Sequence, residues 1–278
     1  MGKFIEKLHE VRTASSSGFG FLRGSQPAMT TTRAAALLAV GARGDAAALE
    51  AAIQNGADGI VISGWTPSAR EFSNLVNATR ERHAIWGVEA TSDTDAASLK
   101  AAKEAGAAFA ILGQSAPASL LLANLEGFDH IVTVEPPRDE QQILSLRASN
   151  LLPMQAALLQ TGLASGDAAR LSISQFTWLR LIWESLRFPT LATIKGIPTE
   201  DDLRTLVELG ADGVLITATG AGSAFGQHVA SLVATLQRIP PHRENEAGAL
   251  LTGLIGVQGH QPDAPDPRRK PEPEPEEP

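Results

Sequence analysis

The sequence contains no cysteine and no tyrosine, and aromatic residues make up only 5% of its 278 positions. Without thiols there is no disulfide framework, no thiolate nucleophile and no Cys-ligated zinc. The six histidines (His9, His83, His130, His228, His242 and His260) are scattered, with no HxH or HExxH pair, so no His-based metal site is expected. No apolar run approaches the roughly 20 residues a membrane-spanning helix needs. The opening MGKFIEKLHE has no apolar stretch resembling a secretory signal. Positive charge is also short: 23 Lys+Arg against 31 Asp+Glu leave a net charge of −8. That is the wrong sign for a nucleic-acid partner. Together these absences predict a soluble, cytoplasmic protein.

What the chain does have is a repeated phrase. GADGIVIS at 56–63 returns as GADGVLIT at 210–217, with a weaker echo, GAAFAILG, at 106–113. Short apolar runs recur at 36–42, 59–63, 85–89, 108–112, 130–135, 153–159, 190–195 and 213–217. Between them lie stretches with helical spacing, such as DAASLKAAKEAG (95–106) and EDDLRTLVELG (200–210), each closed by a glycine. Strands alternating with helices imply parallel pairing. Eight such units predict an α/β fold, a closed (β/α)8 TIM barrel over residues 34–240.

The rest of the chain falls outside the ring. Residues 1–33 read as an amphipathic arm followed by a Ser/Gly/Thr-rich linker. Phe4, Leu8 and Val11 on one side of the arm suit a lid over the bottom of the barrel, with a membrane-surface or partner contact as the alternative. Residues 241–261 form a C-terminal extension. The last 17 residues, 262–278, hold seven prolines among acidic residues and read as a disordered tail.

In such a barrel the chemistry sits at the C-terminal ends of the strands. Strand three ends in Glu89, strand five in Glu135 and strand seven in Lys195. Alternation places these three on the same face as Gly87, Thr133 and Thr193, leaving purely apolar residues for the face that meets the helices. The polar set is therefore expected to point into the mouth. All three end odd-numbered strands, so they are expected in one layer at equal depth, with Arg43 completing it. Lys195 would favour ionised carboxylates, and repulsion between Glu89 and Glu135 would push one of their pKa values up. Such a group suits general acid–base catalysis, and a structural ion network is the alternative. A Schiff base on Lys195 and Mg²⁺ held by the two glutamates are further readings of the same trio. Ser63, Gln114, Gln155 and Thr217 are candidate substrate contacts from the even strands. The loop 161–174 carries Gly162 and Gly166 and would be either a hinged lid or an ordinary surface loop. The helix after it, with Trp178 and Trp183, shows more apolar surface than one stripe needs, which suits an oligomer contact or packing against the N-terminal arm.

Residues 194–226, IKGIPTEDDLRTLVELGADGVLITATGAGSAFG, resemble the closing strands of phosphate-binding barrels such as indole-glycerol-phosphate synthase and thiamin-phosphate synthase. In those families a glycine after strand seven and backbone N–H groups after strand eight hold a phosphate. The resemblance implies that Gly196 and Ile197, then Thr217, Thr219, Gly220 and Gly222, do the same here. Flavin-dependent barrels such as nitronate monooxygenases place an FMN phosphate in that region. Their Gly-Gly-His loop is absent from this chain, and His130 opens a strand at the opposite end. The leading expectation is a lyase, isomerase or aldolase acting on a small anionic metabolite, with a phosphorylated one as the narrower reading, and with no required cofactor. A non-catalytic scaffold or binding barrel and a flavin-dependent oxidoreductase are the alternatives.

Overall fold

The computed structural model describes residues 2–16, 34–41, 46–123, 125–137, 139–217 and 223–239. A first helix, α1 (Lys3–Ser16), precedes the strands β1 (Ala35–Gly41), β2 (Gly59–Ser63), β3 (Trp86–Ala90) and β4 (Phe109–Leu112). The ring continues with β5 (Asp129–Val134), β6 (Ala156–Leu159), β7 (Thr190–Ile194) and β8 (Gly213–Thr217). The strands are followed in turn by α2 (Ala46–Gln54), α3 (Arg70–Glu81), α4 (Ala96–Ala105) and α5 (Ala118–Leu121). Then come α6 (Glu140–Ala148), α7 (Ile173–Ser185), α8 (Glu200–Leu209) and α9 (Ser223–Arg238). All eight strands pair in parallel, in chain order, and the last pairs with the first. The expected linker, extension and tail lie outside the described residues, as do Arg43, Thr219, Gly220 and Gly222.

The repeated phrase now has a physical account. Gly210 ends α8 in the left-handed region (φ 113°), where a side chain would be strained, and its N–H donates to Leu206 and Val207. The aspartate two residues on then serves the neighbouring strand. Asp212 accepts from the Thr190 N–H at the start of β7 (2.8 Å), and Asp58 accepts from the Ala36 N–H in β1 (2.8 Å). The weaker echo has Ala108 at that position, with no side-chain acceptor to offer. Gln155 performs the same service ahead of β6, its Oε1 accepting from the His130 N–H at 2.6 Å. This corrects the expectation that Gln155 contacts substrate: β6 begins at Ala156, after Pro153 and Met154, and Gln155 sits at the bottom of the ring.

Side-chain alternation divides the strands between two cores. Ile60, Ile62, Val88, Ala90, Ala192, Ile194, Val214 and Ile216 face the helices. Val61, Ile111, Ile131, Leu158, Leu191 and Leu215 fill the interior. The interior has no room for a side chain on Gly87, whose Cβ would come within 2.4 Å of the Phe109 carbonyl oxygen. The space goes to the Phe109 ring, which stacks on Phe4 of α1 with centroids 5.1 Å apart. Helix α1 thus closes the bottom of the barrel: Phe4, Ile5 and Leu8 are all fully buried in the interior core. Polar contacts fasten it there. The Gly2 N–H donates to Asp129 (2.7 Å), Lys7 pairs with Asp58, and Arg12 donates to the carbonyls of Leu186 (3.0 Å) and Phe188.

This closure predicts a pH dependence. Burial drives the Asp212 carboxyl up to about 6, although the Thr190 N–H and the Arg12 charge both pull it down. A carboxyl raised on folding contributes stability below its unfolded pKa, near 4, and loses it as pH rises through the folded value. Asp212→Asn keeps an acceptor for Thr190 and removes the titration. Between pH 4 and pH 7 the variant should gain about 2 kcal/mol on the parent in chemical denaturation. Parallel stability curves would show that Asp212 is not desolvated as described.

Helix α7 corrects another expectation. Trp183 is 5% exposed and packs in the outer core, and Trp178 donates from Nε1 to the Pro137 carbonyl (3.1 Å). The two tryptophans seat the helix on the barrel and do not form an exposed face. The exposed large apolar residues of α7 are Ile173 and Leu181, at 87% and 38% exposure.

Candidate functional site

Strand registers fix the depth of each mouth residue. Following the pairs from Ala39 through Val61, Gly87 and Phe109 arrives at Asp129 on β5. Following them the other way, through Thr217 and the same registers extended, arrives at 137, eight residues further along. That stagger means a residue is level with the one a single step further along the next strand. Glu89 is therefore level with Thr133 and Thr193, and with position 39 of β1. Ser63, Gly113 and Gln160 stand one step higher, with Thr217 at the matching register position. Glu135 and Lys195 lie in the layer above that.

The expected single layer of Glu89, Glu135 and Lys195 is thus corrected. All three continue inward-facing positions, but the stagger puts Glu89 two residues deeper. Glu135 and Lys195 are exposed at the rim. Among the described residues neither carboxylate makes an ion pair with Lys195. No cluster of three His, Asp or Glu side chains suited to a metal occurs among the described residues. Gln114 lies on the exposed turn after β4, off the inward alternation, and Gly113 holds the inward position. Gln160, not Gln155, is the β6 glutamine at the mouth.

Glu89 is the group with altered chemistry. Its carboxyl is half-buried over the apolar layer of Val61, Ile111, Leu158 and Leu215, and it makes no hydrogen bond or ion pair with any described residue. Burial pushes its pKa above the usual carboxylate range. The cause is desolvation, and not the second glutamate as the alternation had suggested. The backbone beneath it is held from the β2 loop, where the Trp65 Nε1–H donates to the Glu89 carbonyl (2.8 Å) and the indole packs on Phe72 at 5.3 Å.

On the opposite side the loop after β6 is tied to the loop after β7. Ala164 forms a parallel bridge with Lys195: Lys195 N donates to the Leu163 carbonyl and Ser165 N to the Lys195 carbonyl, both at 2.9 Å. The Ser165 hydroxyl donates to the Ile197 carbonyl (2.6 Å). Asp202, fully buried, accepts from Gly166 N (2.7 Å), Ala169 N (3.3 Å), Thr199 N (2.9 Å) and the Thr199 hydroxyl (2.8 Å). Burial raises its pKa, but these hydrogen bonds outweigh burial and leave the carboxyl below its ordinary value. The loop is therefore a fastened wall and not a hinged lid. Sequence reading missed Asp202, although the spacing Thr199-x-x-Asp202 is a capping-box signal. Asp202→Ala should cost about 2–4 kcal/mol, because two loop N–H groups lose their acceptor. Hydrogen exchange should rise across 161–171 while α4 stays protected.

That wall leaves two backbone donors without a described acceptor. Gly196 has φ 84°, and the N–H groups of Gly196 and Ile197 donate to no described group. Consecutive free N–H groups around a left-handed residue form an anion-binding concavity. Helix α8 competes poorly for an anion, since Glu200, Asp201 and Asp202 occupy its first turn, whereas α9 has no acid there.

No protein-family model matches the sequence, and no curated protein does. Solved structures do. The chain is similar to a thiamine phosphate pyrophosphorylase from Pyrococcus furiosus, with 18% identity, 73% of this chain and 96% of that chain covered, and a TM-score of 0.54. It is also similar to a tryptophan synthase from Mycobacterium tuberculosis (15%, 85% and 99%, TM-score 0.62). A third similar structure is the phosphoribosyl anthranilate isomerase from Thermus thermophilus (16%, 72% and 97%, TM-score 0.51). At these identities the likeness establishes the TIM-barrel fold.

Proposed function

We propose that the protein is a TIM-barrel enzyme of the lyase or isomerase type acting on a small, phosphorylated metabolite. The observation that carries this reading is the half-buried Glu89 carboxyl at the C-terminal end of β3, which has no partner among the described residues. Leaving an ionisable group without a partner in a desolvated position costs stability, and a pKa moved toward neutrality is what proton transfer needs. Glu89 takes a proton from one substrate atom and returns it to another. Lys195, at the rim on β7, balances the charge that develops on the oxygen side.

The anion is held by the Gly196 and Ile197 N–H groups, and the sequence resemblance adds Thr217, Thr219, Gly220 and Gly222 as further contacts. Support comes from the free N–H pair and from two structural neighbours whose names carry a phosphate, thiamine phosphate and phosphoribosyl anthranilate. Incubating the protein with a panel of small phosphorylated metabolites and following ³¹P NMR tests it. Turnover of one member, lost in Glu89→Gln, is expected. Absence of both turnover and binding across the panel would leave a non-catalytic barrel.

A further inference from the structure

The two polar levels inside the mouth are uneven in charge. Level with Glu89 stand Thr133 and Thr193, and one step higher stand Ser63 and Gln160 with Gly113 between their strands. The two positions completing these levels are Ala39 and Thr217, uncharged by sequence. Hydroxyls and an amide therefore surround one carboxyl, and among the described residues no cation shares these levels. The nearest inward-facing cation in register, Lys195, is at the rim and exposed. Beneath lies only the apolar layer of Val61, Ile111, Leu158 and Leu215.

A ligand that reaches the floor thus meets the Glu89 carboxyl with no described cation at its level. We infer that the substrate is bipolar: a phosphate ester whose far end presents an amine or an N–H heterocycle to Glu89. The reasoning rests on the proposed function, since the phosphate is what the Gly196–Ile197 loop would hold. A second carboxylate at the inner end would stand against Glu89 without a counter-ion, which disfavours dianionic sugar acids and phosphorylated hydroxy acids. An aliphatic inner end would leave the carboxyl as unpartnered as it is in the free protein. In its ionised form Glu89 is satisfied by a donor. The raised pKa of Glu89 agrees with a carboxyl that lacks a donor until ligand arrives.

The discriminating probes are short ω-aminoalkyl phosphates, the alkyl phosphates of matching length and the ω-carboxyalkyl phosphates of matching length. Affinities are measured by calorimetry at pH 8. The aminoalkyl phosphate is expected to bind at least about tenfold more tightly than the alkyl phosphate, with the carboxyalkyl phosphate weakest. In Glu89→Gln the amine advantage should fall to within about twofold, while the alkyl phosphate still binds. Equal affinity of amine and alkyl probes, or preference for the carboxylate, overturns the donor assignment and leaves the phosphate site standing. Failure of all three probes to bind overturns both. The ranking by the unaltered protein decides the matter even if Glu89→Gln does not fold.

Discussion

Replacing Phe4 by alanine should lower stability by about 3–5 kcal/mol, the range for a fully buried phenylalanine in a packed core. The cost is high because Phe4 does two jobs. Its ring fills the lower interior beside Gly59 and stacks on Phe109, and it anchors a helix that supplies the floor of the barrel. Removing it leaves a void against Gly59 and the Phe109 ring and weakens the seat of Ile5 and Leu8. Leu151→Ala is the control: Leu151 is 87% exposed, so its loss should stay within about 0.5 kcal/mol. Equilibrium denaturation of both variants measures the difference. If Phe4→Ala cost no more than the control, α1 would be an appendage and not the base of the fold.

Glu89→Gln should reduce turnover of the cognate substrate by about 10²- to 10⁴-fold, the usual worth of a positioned proton-transfer group. Gln keeps the shape and hydrogen-bonding reach but cannot exchange a proton, so KM should change far less than kcat. Stability should hold or rise, because an unpartnered carboxyl is removed from a desolvated position. Loss of turnover with retained stability identifies a functional group. A variant that melts well below the parent would instead reveal a structural role for the carboxyl.

Much of this was legible in the residues. The eight apolar runs and the glycine-terminated helices predicted the closed ring, and alternation separated interior from exterior positions in β3, β5 and β7. Depth was not legible. The relative height of Glu89, Glu135 and Lys195 depends on the stagger between strands, which the alternation within a strand does not contain. Gln155 was misplaced for a related reason. A polar residue beside an apolar run looks alike at either end of a strand, and only the His130 N–H it accepts from marks it as belonging to the bottom. Trp178 and Trp183 suggested an exposed face because α7 is apolar on more than one side. Its contacts with the outer core and with Pro137 account for that surplus. Asp202 was hidden in an acidic helix start whose role depends on a loop about 35 residues earlier in the chain.

The most direct test of the mouth as an anion site is a titration of the ¹⁵N-labelled protein with inorganic phosphate at constant ionic strength. Saturable shifts concentrated at the amides of Gly196 and Ile197, diminished in the Lys195→Met variant, are the predicted result. Shifts that are absent, unsaturable, or centred on the bottom of the barrel would contradict the account.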